Sequence, residues 1–154
     1  MHGLAVLAAT VWAGGVWAIG YLAVPLLFHA LPDRMLAGML AGQMFAGMAY
    51  AGLVCGLYLL LYGYLQYGSK MLVQRIFQVV LLMLLLLVVG QFGLQPAMAE
   101  LKAEAWPVAV MHSDLAAQFR MLHGVASILY LLQSLLALLL VLGLAFQKRP
   151  DFSA

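Results

Sequence analysis

Four apolar runs fill most of this chain, at about 3–28, 36–67, 71–95 and 119–147. Each reaches the roughly 20 residues a helix needs to cross the hydrocarbon of a bilayer. Lipid offers the backbone no hydrogen-bond partner, so a spanning segment must be a helix or part of a closed barrel. Barrel strands alternate apolar and polar residues over about ten positions, and these runs do not alternate. The expected fold class is therefore all-α, a four-helix transmembrane bundle. One integral membrane domain covers residues 1–154, with helices at about 3–28, 36–67, 71–95 and 114–147 and an exposed segment at 96–113.

Composition narrows the partners. The chain is 67% hydrophobic and 8% charged, whereas a soluble domain is about a quarter charged. Too few charges remain to cover a polar surface, so the lipid bilayer is the expected solvent. A net charge of +2, without a basic patch interleaved with aromatics, excludes nucleic acid. Cys55, the single cysteine, has no partner for an internal disulfide and reads as a small apolar residue. The N-terminus lacks a basic start and a clear cleavage site, so the first helix is expected to be retained. The two hairpins do not align as an internal repeat.

Spacing suggests how the helices pack. Gly14 and Ala18 would let the first helix approach a neighbour closely, and Pro25 should loosen its last turn. Asp33 is placed to cap the second helix. That helix carries a small-residue stripe with the pairs Gly38/Gly42 and Gly52/Gly56. Helices in lipid associate through close backbone contact, which such pairs permit within the chain or in a homo-oligomer. The run LLMLLLLVV in the third helix reads as lipid-facing, and Ser113 or Asp114 as a cap for the fourth.

Four spans put both termini on one side, together with Lys70, Arg75, Lys148 and Arg149. Arg34, Lys102 and Arg120 lie on the other side. The positive-inside rule then favours cytoplasmic termini. Whatever the orientation, the turn at His29–Arg34 and the 96–120 segment share a membrane face. His29, Asp33, Arg34, His112, Asp114, Arg120 and His123 gather there.

The fourth helix carries a polar stripe, Arg120, His123, Ser127, Tyr130 and Ser134, at steps of three and four. Polar residues in a spanning helix face protein or a water cavity. The stripe reads either as an interhelical hydrogen-bond seam or as one wall of a polar pocket, with His29, Arg34, Arg120, His123, Ser127 and Tyr130 as the pocket residues. Neutral imidazole is a common metal ligand, so His29 and His123 are the candidate pair for a metal ion or an axially held haem iron. Ten methionines, with Met35, Met39, Met44 and Met48 at the start of the second helix, would suit copper. Neither haem nor copper is required: there is no CxxCH, no HExxH and no cysteine pair. No nucleophile–base pair and no intramembrane carboxylate is present. No catalytic residue is assigned, and a non-enzymatic role is expected.

Two segments resemble domain-of-unknown-function family 4149, related to the eukaryotic transmembrane-protein-205 group. In VPLLFHALPDRMLAGMLAGQMF the likeness rests on Pro25, Phe28, Leu31, Arg34, Gly38 and Phe45. In FRMLHGVASILYLL it rests on Phe119, Leu122, His123, Gly124 and Ser127, with Pro96 and the segment after it also fitting. The resemblance implies a four-helix integral protein, in bacteria one of the inner membrane, and no established activity. The eukaryotic relatives' link to platinum resistance suggests soft-metal handling. The expected role is binding or helping to move a metal ion or small polar solute. The alternatives are a haem-binding redox protein and a structural subunit of a membrane complex.

Overall fold

The computed structural model describes residues 2–146. It contains four long helices: α1 (His2–Ala30), α2 (Arg34–Tyr67), α3 (Arg75–Ala105) and α4 (Ala116–Ala145). All four are long and apolar enough to cross a membrane, and no strand occurs among the described residues. The chain is a four-helix transmembrane bundle. Lys148 and Arg149, which enter the charge balance above, lie outside the described residues.

Local chemistry sets the boundaries. Leu31 is extended, as expected of a residue that precedes proline, and it ends α1. Asp33 then caps α2, its Oδ1 accepting from the amides of Met35 at 2.8 Å and Leu36 at 3.1 Å. An Asp33→Ala variant should lose about 1 kcal/mol of helix stability. Faster hydrogen exchange at the Met35 and Leu36 amides, with the rest of α2 unchanged, is the expected signature. Unchanged exchange at both would show that the cap contributes nothing. At the other end of α2, Gly68 takes a φ of 55° and turns the chain into a short 3-10 segment, Gly68–Val73. Before α4, Ser113 rather than Asp114 orders the entry. Its hydroxyl donates to the Val110 carbonyl and accepts from the Leu115 amide.

The odd-numbered helices share a device that the sequence comparison of the hairpins does not reveal. α1 passes through a π-helical segment at Ala18–Ala23, and α3 through one at Val89–Leu94. Each ends two residues before a proline, and the residue between closes it, Val24 N–H bonding to Ile19 O and Gln95 N–H to Gly90 O. Proline lacks an amide hydrogen, and its ring crowds the carbonyl four residues back. That residue is aromatic in both helices, Tyr21 before Pro25 and Phe92 before Pro96. Widening the preceding turn lets the helix continue. Thus Pro25 loosens the turn before it rather than the last one, and α3 runs beyond residue 95 to Ala105.

The core lies in the half of the bundle that holds the α1 N-terminus. There Trp12, Leu59, Phe77, Val80, Met83 and Leu140 are enclosed. The helices form a ring, with α1 against α2 and α4, and α3 against α2 and α4. Two expectations change. Within LLMLLLLVV, Met83, Leu84 and Leu87 are buried, while Leu82, Leu85 and Val88 are exposed. In lipid both faces are apolar, so composition cannot separate core from bilayer. Gly14 and Ala18 are exposed, and a Cβ on Gly14 would meet nothing within 4 Å. Gly15 and Gly20 make the close approaches instead, one residue and two residues further on, against Met48 and Tyr130.

Candidate functional site

The helix ring does not persist along the whole bundle. Close backbone approach between the α1–α2 and α3–α4 hairpins is confined, apart from marginal touches, to the half containing His2–Trp17 and Arg75–Val88. Beyond the two π segments each helix keeps mainly its own hairpin partner. Val24–Ala30 packs on α2, and Gln95–Ala105 on α4. The hairpins therefore part toward the face that carries the His29–Arg34 turn.

Tyr130 stands where they part. It is the fifteenth of the 30 residues of α4, so it lies near the middle of the span. Its hydroxyl donates to the Val16 carbonyl, and its ring fills the space over Gly20. Phe45 and Tyr21 meet that ring edge-on, with centroids at 5.1 Å and 6.2 Å. One turn further in, the Ser134 hydroxyl donates to the Leu131 carbonyl and takes a hydrogen bond from the Tyr21 hydroxyl at 2.8 Å. Trp17 Nε1 donates to the Ser134 carbonyl at 3.1 Å. Tyr130 and Ser134 thus form an interhelical seam whose hydroxyls are all satisfied, as lipid requires.

The outer part of the same stripe is different. His123 and Ser127 stand seven residues before Tyr130 and Ser134, so each shares its partner's face of α4 to within about 20°. Both are nevertheless exposed, because the helix that Tyr130 touches has moved away at their level. Ser127 satisfies its hydroxyl on the His123 carbonyl at 2.8 Å. His123 stacks on Phe119 at 6.0 Å, and Lys102 Nζ lies 5.5 Å from the centre of the Phe119 ring. Arg120, Arg34 and His29 are exposed, and none forms an ion pair or hydrogen bond with a described side chain. These groups are exposed toward the end of the bundle where the hairpins part. Among the described residues no group of three or more His, Cys, Asp or Glu is close enough to hold a metal ion.

The glycine stripe of α2 divides in two. A Cβ on Gly52 would lie 2.5 Å from Trp12 Nε1, and one on Gly56 2.5 Å from Leu84 Cδ2, so both sit at close helix approaches within the chain. A Cβ on Gly38 would meet only Phe28, at 3.9 Å, and one on Gly42 would meet nothing within 4 Å. Cys55 lies apart from the polar stripe, lining an apolar groove of about 310 Å³ with Leu4, Leu7, Ala8, Val11 and Tyr58.

Sequence reasoning missed Trp17, Tyr21 and Gln133 as parts of this region. Tyr21 and Trp17 reach Ser134 across more than a hundred residues, and no local spacing announces such a pairing. Gln133 neighbours the stripe but sits off its three-four rhythm.

These features define an integral membrane protein of four helices, closed at one end and parted at the other. Residues 7–107 match the family model described as Domain of unknown function (DUF4149), and the chain belongs to that family. The matched region includes Pro25, Phe28, Arg34, Phe45 and Pro96; it stops short of the Phe119–Ser127 motif of α4. No curated protein and no solved structure matches the chain significantly.

Proposed function

We propose that this protein is a non-enzymatic membrane binding protein that receives a small polar solute in the cleft between its hairpins. One observation carries the reading: the polar stripe of α4 continues past the point where protein covers it. Polar side chains within a span belong against protein or water, and His123 and Ser127 have no facing helix to cover them. Water or a ligand in the cleft supplies that environment. Arg34, Arg120 and His29 at the rim give the entrance hydrogen-bond donors. The preponderance of Lys and Arg on the terminal side supports cytoplasmic termini, which would open the cleft to the opposite side of a bacterial inner membrane.

The test is hydration of the cleft. In a Cys55→Ala background, Ser127→Cys should react with a membrane-impermeant maleimide on the order of tenfold faster than Ile128→Cys, because only a hydrated thiol ionises readily. Equal, slow labelling of both would show that α4 lies in lipid on every side and would refute the proposal. A haem Soret band, or one copper per chain, lost in His29→Ala/His123→Ala would replace the solute with a metal centre at the same place.

A further inference from the structure

Gln133 is 6% exposed, and its Oε1 has no hydrogen-bond partner. An orphaned buried oxygen is costly, and each such group in a native structure calls for an explanation. The hydroxyls around it are already engaged: Ser134 with Leu131 and Tyr21, and Tyr130 with Val16.

Two further carboxamides lie at the same depth or just above. Leu87 and Trp12 both meet Gly52. Trp17, which meets Ser134, follows Trp12 by five residues on α1, and Gln91 follows Leu87 by four on α3. Gln91 and Gln133 therefore sit within a few ångströms of one level, with Gln95 about one turn nearer the open face. Gln91 and Gln95 are half-buried, and their carboxamides make no hydrogen bond to any described residue. The π segment that carries Gln91 packs against α4. Three carboxamides without protein partners thus lie near the level where the hairpins begin to part.

The chemistry of the place selects the ligand. No Asp, Glu, Lys or Arg occurs between Arg34 and Lys70, between Arg75 and Glu100, or after Arg120 through residue 146. An ion at this depth would be buried without a counter-charge, which is strongly unfavourable. The ligand head is therefore neutral. Oε1 can only accept, so the head must donate, while Gln91 and Gln95 can serve either role. The surrounding helices are apolar, which favours a lipid-soluble body. We propose that the foot of the cleft binds the hydroxylated head of a neutral, lipid-soluble molecule. The hydroxyl donates to Gln133 Oε1, and Gln91 and Gln95 hold the rest of the head. This inference rests on the cleft reading above.

The probes are 1-decanol, decyl methyl ether and decanoate, matched in chain and different in head. In detergent, 1-decanol should raise the thermal midpoint of the wild type by several degrees more than the ether, which has no donor, and more than the charged decanoate. That difference should vanish in Gln133→Met, which keeps side-chain volume and removes the acceptor. No difference among the three in the wild type would mean that buried water alone serves Gln133, and it would overturn the proposal. A difference that persists in Gln133→Met would overturn it equally. If Gln133→Met fails to fold, Gln91→Leu takes its place, with a reduced alcohol preference expected and an unchanged one contradicting the assignment. Rapid labelling of Ser127→Cys without any preference for the alcohol would sink this inference and leave the cleft intact.

Discussion

Gly56→Leu should prevent this protein from reaching a stable bundle in detergent, while Gly42→Leu should fold as the wild type does. Both glycines belong to one α2 stripe at steps of four and three, yet their surroundings differ. A Cβ at 56 would lie 2.5 Å from Leu84 Cδ2 and 3.0 Å from Trp12 Cη2, whereas at 42 nothing stands within 4 Å. Overpacking a core costs about 1–3 kcal/mol where neighbours can yield, and sometimes more. Here Trp12 has no accessible surface and cannot retreat. The cost should fall at or above the upper end of that range, a large part of the roughly 5–15 kcal/mol that holds a domain together. Monodisperse elution and thermal midpoint in one detergent are the measurements. If Gly56→Leu kept the parent's midpoint while losing only a dimer, the glycine would serve association between copies rather than packing inside one. If Gly42→Leu were as damaging as Gly56→Leu, the division of the stripe would be wrong.

The complementary change, Trp12→Ala, should destabilise the bundle by about 3–5 kcal/mol, the usual cost of emptying a large aromatic from a packed site. Trp12 lies where α1 meets Gly52 and Gly56 of α2, with Leu84 and Leu87 of α3 against the same two glycines. Removing it would leave a void where three helices meet. In lipid there is little hydrophobic drive to close such a void, because acyl chains are as apolar as the core; packing contacts carry the association. Equilibrium unfolding in mixed micelles should show the loss. A change below about 1 kcal/mol, the scale of an ordinary surface substitution, would mean that the helices collapse around the gap and that the indole is not the centre of the bundle.

Much of the fold is legible in the sequence, because lipid leaves so few alternatives. Four runs of sufficient length force four helices, and Leu31-Pro32-Asp33 fixes the first turn by rules that act within three residues. What stays hidden is rotation. Met83 and Leu82 are equally apolar, and only one faces the core. Gly14 and Gly15 are the same residue, and only Gly15 meets a neighbour. A soluble helix shows its inner face by contrast with a polar outer one; here that contrast is missing. The polar stripe of α4 is legible as a face, since it breaks the apolar background. Its two halves are not, because satisfaction of Ser134 and exposure of Ser127 depend on where α1 turns away. Pro25 hints at that departure, but the π segment before it is visible only in the backbone.

The bundle is closed up to Tyr130 and parted beyond it. The most direct test places a nitroxide in turn at each position from 119 to 137 of α4 in reconstituted vesicles and compares collision rates with a water-soluble nickel chelate and with oxygen. Chelate access should be high at Arg120, His123, Gly124 and Ser127 and fall abruptly at Tyr130, with Ser134 and Ala137 protected from both reagents. Chelate access that decays smoothly with depth, with oxygen equally high on every side of residues 120–127, would show α4 surrounded by lipid and would contradict the cleft.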